Sequence, residues 1–148
     1  MKRIIMIRYG ELSTKKDNKK YFLDFLESSI RKTLKDVTIN ILKYKSRMYI
    51  EYNIDDEEFI IDKLKRVPGI IGFSISYIVK TDIKEIELKI LELSKNMIFD
   101  TFKVVTKRVY KLFEYDSNQV NNIIGSHIIK NINKKVDVHN PDLTINIE

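Results

Sequence analysis

Residues 37–52 read Val-Thr-Ile-Asn-Ile-Leu-Lys-Tyr-Lys-Ser-Arg-Met-Tyr-Ile-Glu-Tyr, and the fold turns on how this run is read. Apolar and polar side chains alternate over Val37–Tyr44 and again over Met48–Tyr52, the two-residue period of half-buried strands. Lys45-Ser46-Arg47 between them suits a hairpin turn. Outward on the N-terminal side, Phe22, Phe25, Leu26, Ile30 and Leu34 recur at three- and four-residue spacing in a helix starting at Lys19. On the C-terminal side, Asp55 and Asp56 favour a helix N-terminus, where carboxylates meet the positive end of the dipole. Its inward positions are Phe59, Ile60 and Leu64, and Val67-Pro68-Gly69 stops it. Outward once more, Arg3–Arg8 and Ile70–Val79 are apolar runs of strand length.

The resulting order, β-α-β-β-α-β, is the split unit of the ferredoxin-like fold. The expected class is α+β, with a first domain over 1–80 and a second over 81–148. In the second, Ile83, Ile86, Ile90, Leu93 and Met97 form an amphipathic stripe. Thr101–Lys107 alternates as a half-exposed strand, with Phe102 and Val104 opposed to Lys103 and Lys107. Ser117 is the expected N-cap of a helix facing inward through Val120, Ile124 and Ile128. Strands at Lys135–Val138 and Leu143–Ile147 flank a turn at His139-Asn140-Pro141-Asp142. With nothing after the last strand to complete its sheet, the second domain reads as C-terminally incomplete, and its open edge would admit a chain-swapped neighbour and hence a homodimer.

The 148 residues are 43% hydrophobic, enough for two small cores, and no apolar run approaches the roughly 20 residues that span a bilayer. The start, Met1-Lys2-Arg3-Ile4-Ile5-Met6-Ile7-Arg8, is too short and too soon recharged for a signal peptide. Without cysteine there is no disulfide framework, no thiolate metal site and no persulfide-carrying nucleophile. A cytoplasmic, reducing compartment and no membrane partner fit this composition.

The net charge of +6 is unevenly spread: residues 1–80 hold 17 Lys and Arg against 11 Asp and Glu, whereas 81–148 hold ten of each. Positive excess confined to one half points to a polyanion. Lys15, Lys16, Lys19 and Lys20 fall within six residues and follow Arg8 and Tyr9 at the end of the first strand. Ammonium groups meet phosphate as point charges and give salt-dependent affinity. Arg8 can fork onto phosphate oxygens, and Tyr9 either stacks on an unpaired base or packs inward. A second basic element is Lys103, Lys107, Arg108 and Lys111, with no acid between Thr101 and Lys111; Lys130, Lys134 and Lys135 would extend it if the helix end packs nearby. The plainer reading of both elements is a solvated lysine-rich surface.

No catalytic residue emerges. A Ser-Gly-Gly-x-Asp-Ser loop for ATP pyrophosphate is absent, and the four glycines are scattered. His127 reads as a helix surface or boundary residue and His139 as part of a turn; no metal-ligand spacing appears, and Glu11 reads as a local partner of a neighbouring lysine. No cofactor is therefore expected in this chain.

Two anchors carry a family resemblance. Arg8-Tyr9-Gly10-Glu11-Leu12, followed by the basic loop and Tyr21-Phe22, is the first; Val138-His139-Asn140-Pro141-Asp142 with Thr144-Ile145 is the second. Together they resemble the N-terminal half of the tRNA 4-thiouridine synthetases, sulfurtransferases also assigned to thiamine biosynthesis. The resemblance implies a ferredoxin-like domain followed by an α/β THUMP domain, both RNA-binding. It further implies tRNA as partner, held at its acceptor stem and 3′ end, with ATP and a cysteine desulfurase serving a catalytic domain absent from this chain. Where the family has a single Lys-Gly between the Glu and the aromatic helix start, Ser13-Thr14-Lys15-Lys16-Asp17 stands here. THUMP domains also precede methyltransferase, pseudouridine synthase and deaminase modules, so another RNA-modifying enzyme is the alternative, and the Arg-Tyr-Gly-Glu segment argues for thiolation. A reading without RNA makes residues 1–80 a ferredoxin-like regulatory module.

Overall fold

The computed structural model describes residues 3–10, 16–44 and 47–148, with backbone alone for 16–18. The chain divides into two compact units, Met1–Ile78 and Val79–Glu148. The first runs β1 (Arg3–Tyr9), α1 (Lys16–Thr33), β2 (Ile39–Tyr44), β3 (Arg47–Tyr52), a 3-10 turn (Ile54–Asp56), α2 (Glu57–Leu64) and β4 (Ile70–Tyr77). Its four strands pair antiparallel in the order β2-β3-β1-β4, the ferredoxin-like arrangement that periodicity predicts. The proposed hairpin turn at Lys45-Ser46 lies outside the described residues, and Arg47 already belongs to β3.

Register explains the core. Ile5 pairs with Ile50 and Ile7 with Met48, so these four side chains share one face of the sheet. Leu26 and Ile30 on α1, Leu34 just after it, and Ile60 and Leu64 on α2 close over that face, all fully buried. Each such burial contributes about 1.5–3 kcal/mol. Two expected core residues lie outside this stripe. Phe25 is exposed because the α1 stripe runs through Phe22, Leu26 and Ile30; Phe59 is exposed because Ile60 and Leu64 take the inward positions of α2, and Lys63 Nζ sits 5.4 Å over its ring. The α1 helix starts at Lys16, three residues before the expected Lys19. Gly69 has φ +92, and a Cβ there would stand 3.2 Å from the Phe22 ring, so both backbone and packing select glycine.

The second unit runs α3 (Ile83–Lys95), β5 (Thr101–Thr106), α4 (Ser117–Asn131), β6 (Lys135–Val136) and β7 (Leu143–Ile147), with parallel strands in the order β6-β5-β7. Phe102, the second residue of the central strand β5, is fully buried among Ile83, Ile86, Val120, Ile124 and Ile128. The β4 strand stops at Tyr77 rather than Val79, and Val79 packs against this second core. Met97 leaves the expected stripe: Asn96 closes α3 through N–H bonds to Leu93 and Ser94 carbonyls, and Met97 emerges exposed, while Glu87 and Ser94 are buried instead. The N-cap of α4 is Asp116, in a reciprocal capping box with Gln119; Ser117 instead accepts the Arg108 N–H at 3.3 Å. Strand β6 ends at Val136, two residues early, because the Asp137 carboxylate accepts the N–H groups of His139 and Asn140 at 3.0 Å each and turns the chain.

Candidate nucleic-acid interface

The strand β1 delivers Arg8 and Tyr9 to one end of the four-stranded sheet, on opposite faces. Tyr9 points to the core side, half-buried and tilted against Phe22 with ring centroids 6.4 Å apart; burial raises its hydroxyl pKa, with Arg47 opposing. Of the two readings for Tyr9, this is the packed one. The same contact fixes the first turns of α1 at this end, so exposed Lys19 and Lys20 lie near the strand terminus. Lys15 and the side chain of Lys16 lie outside the described residues, as does Glu11.

Arg8 is exposed on the other face, directly across from Gly72 of β4. A Cβ on Gly72 would come 2.9 Å from Arg8 Nη2, so the guanidinium rests on bare backbone, and Nη1 reaches Ser74 Oγ at 3.5 Å. The β1–β3 register ends at the Ile7–Met48 pair, and one position on in β3 Arg47 pairs with Tyr44 of β2. Two cross-strand pairs, Tyr44–Arg47 and Arg8–Gly72, thus stand at this end of the sheet. Sequence reasoning assigned Arg47 to a turn and left Tyr44 unremarked; their signal is the strand alternation that puts both on the face of Arg8.

In the second unit, Lys103 is half-buried on β5, and Lys107 just beyond the strand is exposed, its N–H bonded to the Ile147 carbonyl at 2.8 Å. Lys111 is exposed in the following loop. Arg108 is different: its guanidinium turns back to the Phe113 carbonyl at 3.5 Å while its backbone N–H bonds Ser117, so it closes the loop that presents the lysines. Lys134 does not extend the basic stripe, because its ammonium bonds the Phe99 carbonyl and lies 4.7 Å over the Phe99 ring; Lys130 and Lys135 remain exposed. Lys43 is likewise engaged, 2.7 Å from Glu27 Oε2 and 3.7 Å from Asp24.

His139 is exposed in its turn. His127 is a boundary residue, one of its two expected placements, and its Nδ1 lies 3.1 Å from Oε2 of buried Glu87. Among the described residues, no cluster of His, Cys, Asp and Glu could hold a metal ion, and no helix is long and apolar enough to cross a membrane. What the two units offer is exposed cations beside aromatic side chains.

The profile of the ThiI ferredoxin-like domain matches residues 4–74, and that of the THUMP domain matches residues 80–148. A probable tRNA sulfurtransferase of Caldanaerobacter subterraneus is 39% identical over all of this chain, which covers 39% of that relative. One of Bacillus subtilis is 42% identical over 97% of the chain, covering 37% of the relative. The chain thus spans about two fifths of the length of these relatives. Among solved structures, a 4-thiouridine synthetase in complex with RNA and bound ATP aligns with 99% of the chain at TM-score 0.80 and 27% identity, the match covering 38% of that protein. A Pyrococcus horikoshii protein aligns equally well, at TM-score 0.80 and 26% identity, with 51% of it covered.

Proposed function

Residues 4–74 belong to the ThiI ferredoxin-like domain family and residues 80–148 to the THUMP domain family, and from that premise we propose that this chain is the tRNA-docking part of a tRNA sulfurtransferase that makes 4-thiouridine. It holds the acceptor stem and 3′ end, while adenylation by ATP and sulfur delivery from a cysteine desulfurase occur through residues outside these 148. A role in thiamine biosynthesis, a cytoplasmic location and a homodimer belong to the same proposal.

The observation that carries it is the pairing of exposed cations on both units: Arg8, Lys19 and Lys20 on the first, Lys107 and Lys111 on the second. Each phosphate neutralised releases counterions, so several weak contacts sum to a steeply salt-dependent affinity. Because the two units are covalently joined, each raises the effective concentration of the other at the RNA. A duplex stem offers shape and backbone, and an unpaired end offers bases, which suits two small sites better than one. The likeness to a synthetase crystallised with RNA supports the choice of ligand.

A tRNA shift assay across a salt series tests the reading: binding that weakens steeply with salt is expected, and absence of binding at low salt overturns it. Incubation of the chain with ATP, a sulfur donor and tRNA tests the assignment of chemistry elsewhere; any 4-thiouridine formed would refute that half.

A further inference from the structure

Among the described residues, α1 and α2 both close one face of the first unit's sheet, and Arg8 and Tyr44 stand exposed on the other. The solvent side of an antiparallel sheet is ordinarily polar. Here the row next to the Tyr44–Arg47 and Arg8–Gly72 pairs brings Tyr49, Met6 and Ser74 together. Tyr44 and Tyr49 meet edge to face with centroids 5.7 Å apart at 70°, and Tyr44 is 63% exposed. Beside this pair, the Arg8 guanidinium is laid on the bare backbone of Gly72 and tethered by Ser74.

We propose that this sheet face is a stacking platform for unpaired RNA nucleotides, with Tyr44 taking a base and the Arg8 plane taking a neighbouring base or forking onto its phosphate. The inference rests on the tRNA-docking reading and deepens it, since it assigns base contact to the ferredoxin-like unit. A flat sheet reaches the faces of bases only where they are unstacked, so the occupant is single-stranded RNA rather than duplex. The Tyr44 ring supplies sequence-tolerant stacking and Arg8 supplies charge, the two ingredients of single-strand binding.

The test measures fluorescence anisotropy of the full chain with three RNAs: a single-stranded oligouridine of about ten nucleotides, a blunt hairpin, and tRNA. Tyr44→Ala is expected to weaken the oligouridine about tenfold, to leave the hairpin unchanged, and to leave the salt slope unchanged, because stacking releases no counterions. Tyr44→Phe is expected to restore binding, which separates lost stacking from lost folding. Arg8→Lys, which keeps the charge and loses the plane, is expected to weaken the oligouridine and spare the hairpin. A wild-type chain that binds tRNA but not the oligouridine, an unchanged Tyr44→Ala variant, or equal loss on oligouridine and hairpin overturns the platform while the docking function stands. Failure of the wild-type chain to bind tRNA removes both.

Discussion

Asp142 and Thr101 bind each other in both directions: Asp142 Oδ2 accepts the Thr101 N–H at 3.1 Å, and Thr101 Oγ1 accepts the Asp142 N–H at 2.9 Å. The same carboxylate accepts the Asp100 N–H at 3.0 Å. The turn ending in Asn140-Pro141-Asp142 is thereby clasped to the first residue of β5, which sets β7 alongside β5. This is a structural reason for one of the two sequence anchors, and it needs no RNA.

Asp142 therefore gives a pH prediction. The backbone N–H groups of Asp100 and Thr101 favour its charged form and lower its pKa from the ordinary 3.8. A carboxyl lowered on folding stabilises fully above its unfolded value and loses that contribution as pH falls through the native one. Thermal unfolding of the wild type should thus show a drop in midpoint below the ordinary value of 3.8. Asp142→Asn should be less stable than wild type at neutral pH and show a smaller acid drop. Equal midpoints at neutral pH would mean that the clasp is inconsequential.

Lys107 and Arg108 are neighbours with different work. Lys107→Ala should weaken tRNA uniformly and lower the salt slope by about one, with stability unchanged within about 0.5 kcal/mol. Arg108→Ala also removes the bond to the Phe113 carbonyl and loosens the loop, so it should cost about 1 kcal/mol of stability besides affinity. Urea unfolding beside the binding series separates them; equal stabilities would return Arg108 to the role of a plain phosphate contact.

Charge counted along the sequence does not distinguish Lys43 from Lys19 and Lys20, but the structure does. Lys43 shares Glu27 with Arg31, whose Nη2 is 3.0 Å from the same carboxylate; the Lys43 hydrogen bond leads in lowering the Glu27 pKa, and Glu27 in turn raises that of Lys43. Lys43→Ala is expected to leave tRNA affinity within about twofold and to cost no more than about 1 kcal/mol, as partly exposed pairs do. Lys19→Ala with Lys20→Ala should reverse that pattern, lowering the salt slope by about two and sparing stability. A Lys43 variant that loses tRNA as the double variant does would contradict the assignment.

The βαββαβ order was legible because strand alternation and helical spacing are local, and both survive in Ile39–Tyr44 and in Leu26, Ile30 and Leu34. Exposure of lysines at 19, 20, 107 and 111 followed from charge alone. What stayed hidden depends on which strands become neighbours. Gly72 lies 64 positions from Arg8 in the chain, and only the β1–β4 register brings them together. Strand alternation gives the face of Tyr44 within β2, but not which strands lie beside it. Likewise, Ser117 satisfies the residue preference for an N-cap, but Asp116 one position earlier takes the cap because Gln119 completes its box. His127 reads as helix surface or boundary until α3 brings Glu87 to it.

That last pair supports a final prediction. Glu87 is 8% exposed, which for a carboxylate is costly unless it is partnered. His127 Nδ1 at 3.1 Å is its nearer partner, with Lys84 Nζ at 3.9 Å, while His127 Nε2 is buried with no protein partner among the described residues. Removing the carboxylate takes the partner of Nδ1 from a ring whose Nε2 is already buried and unpaired, so Glu87→Ala should cost about 1–3 kcal/mol. His127→Ala leaves the acid with only its distant lysine and should cost a similar amount. Because each single variant already forfeits the shared interaction, the double variant should lose less than the two added together, with a coupling of at least about 0.5 kcal/mol. Urea unfolding gives the cycle, and hydrogen exchange should locate the weakening in α3 and α4. Strict additivity would mean that the two side chains are neighbours without stabilising each other, and that the α3–α4 contact rests on Ile83, Ile86, Val120 and Ile124 alone.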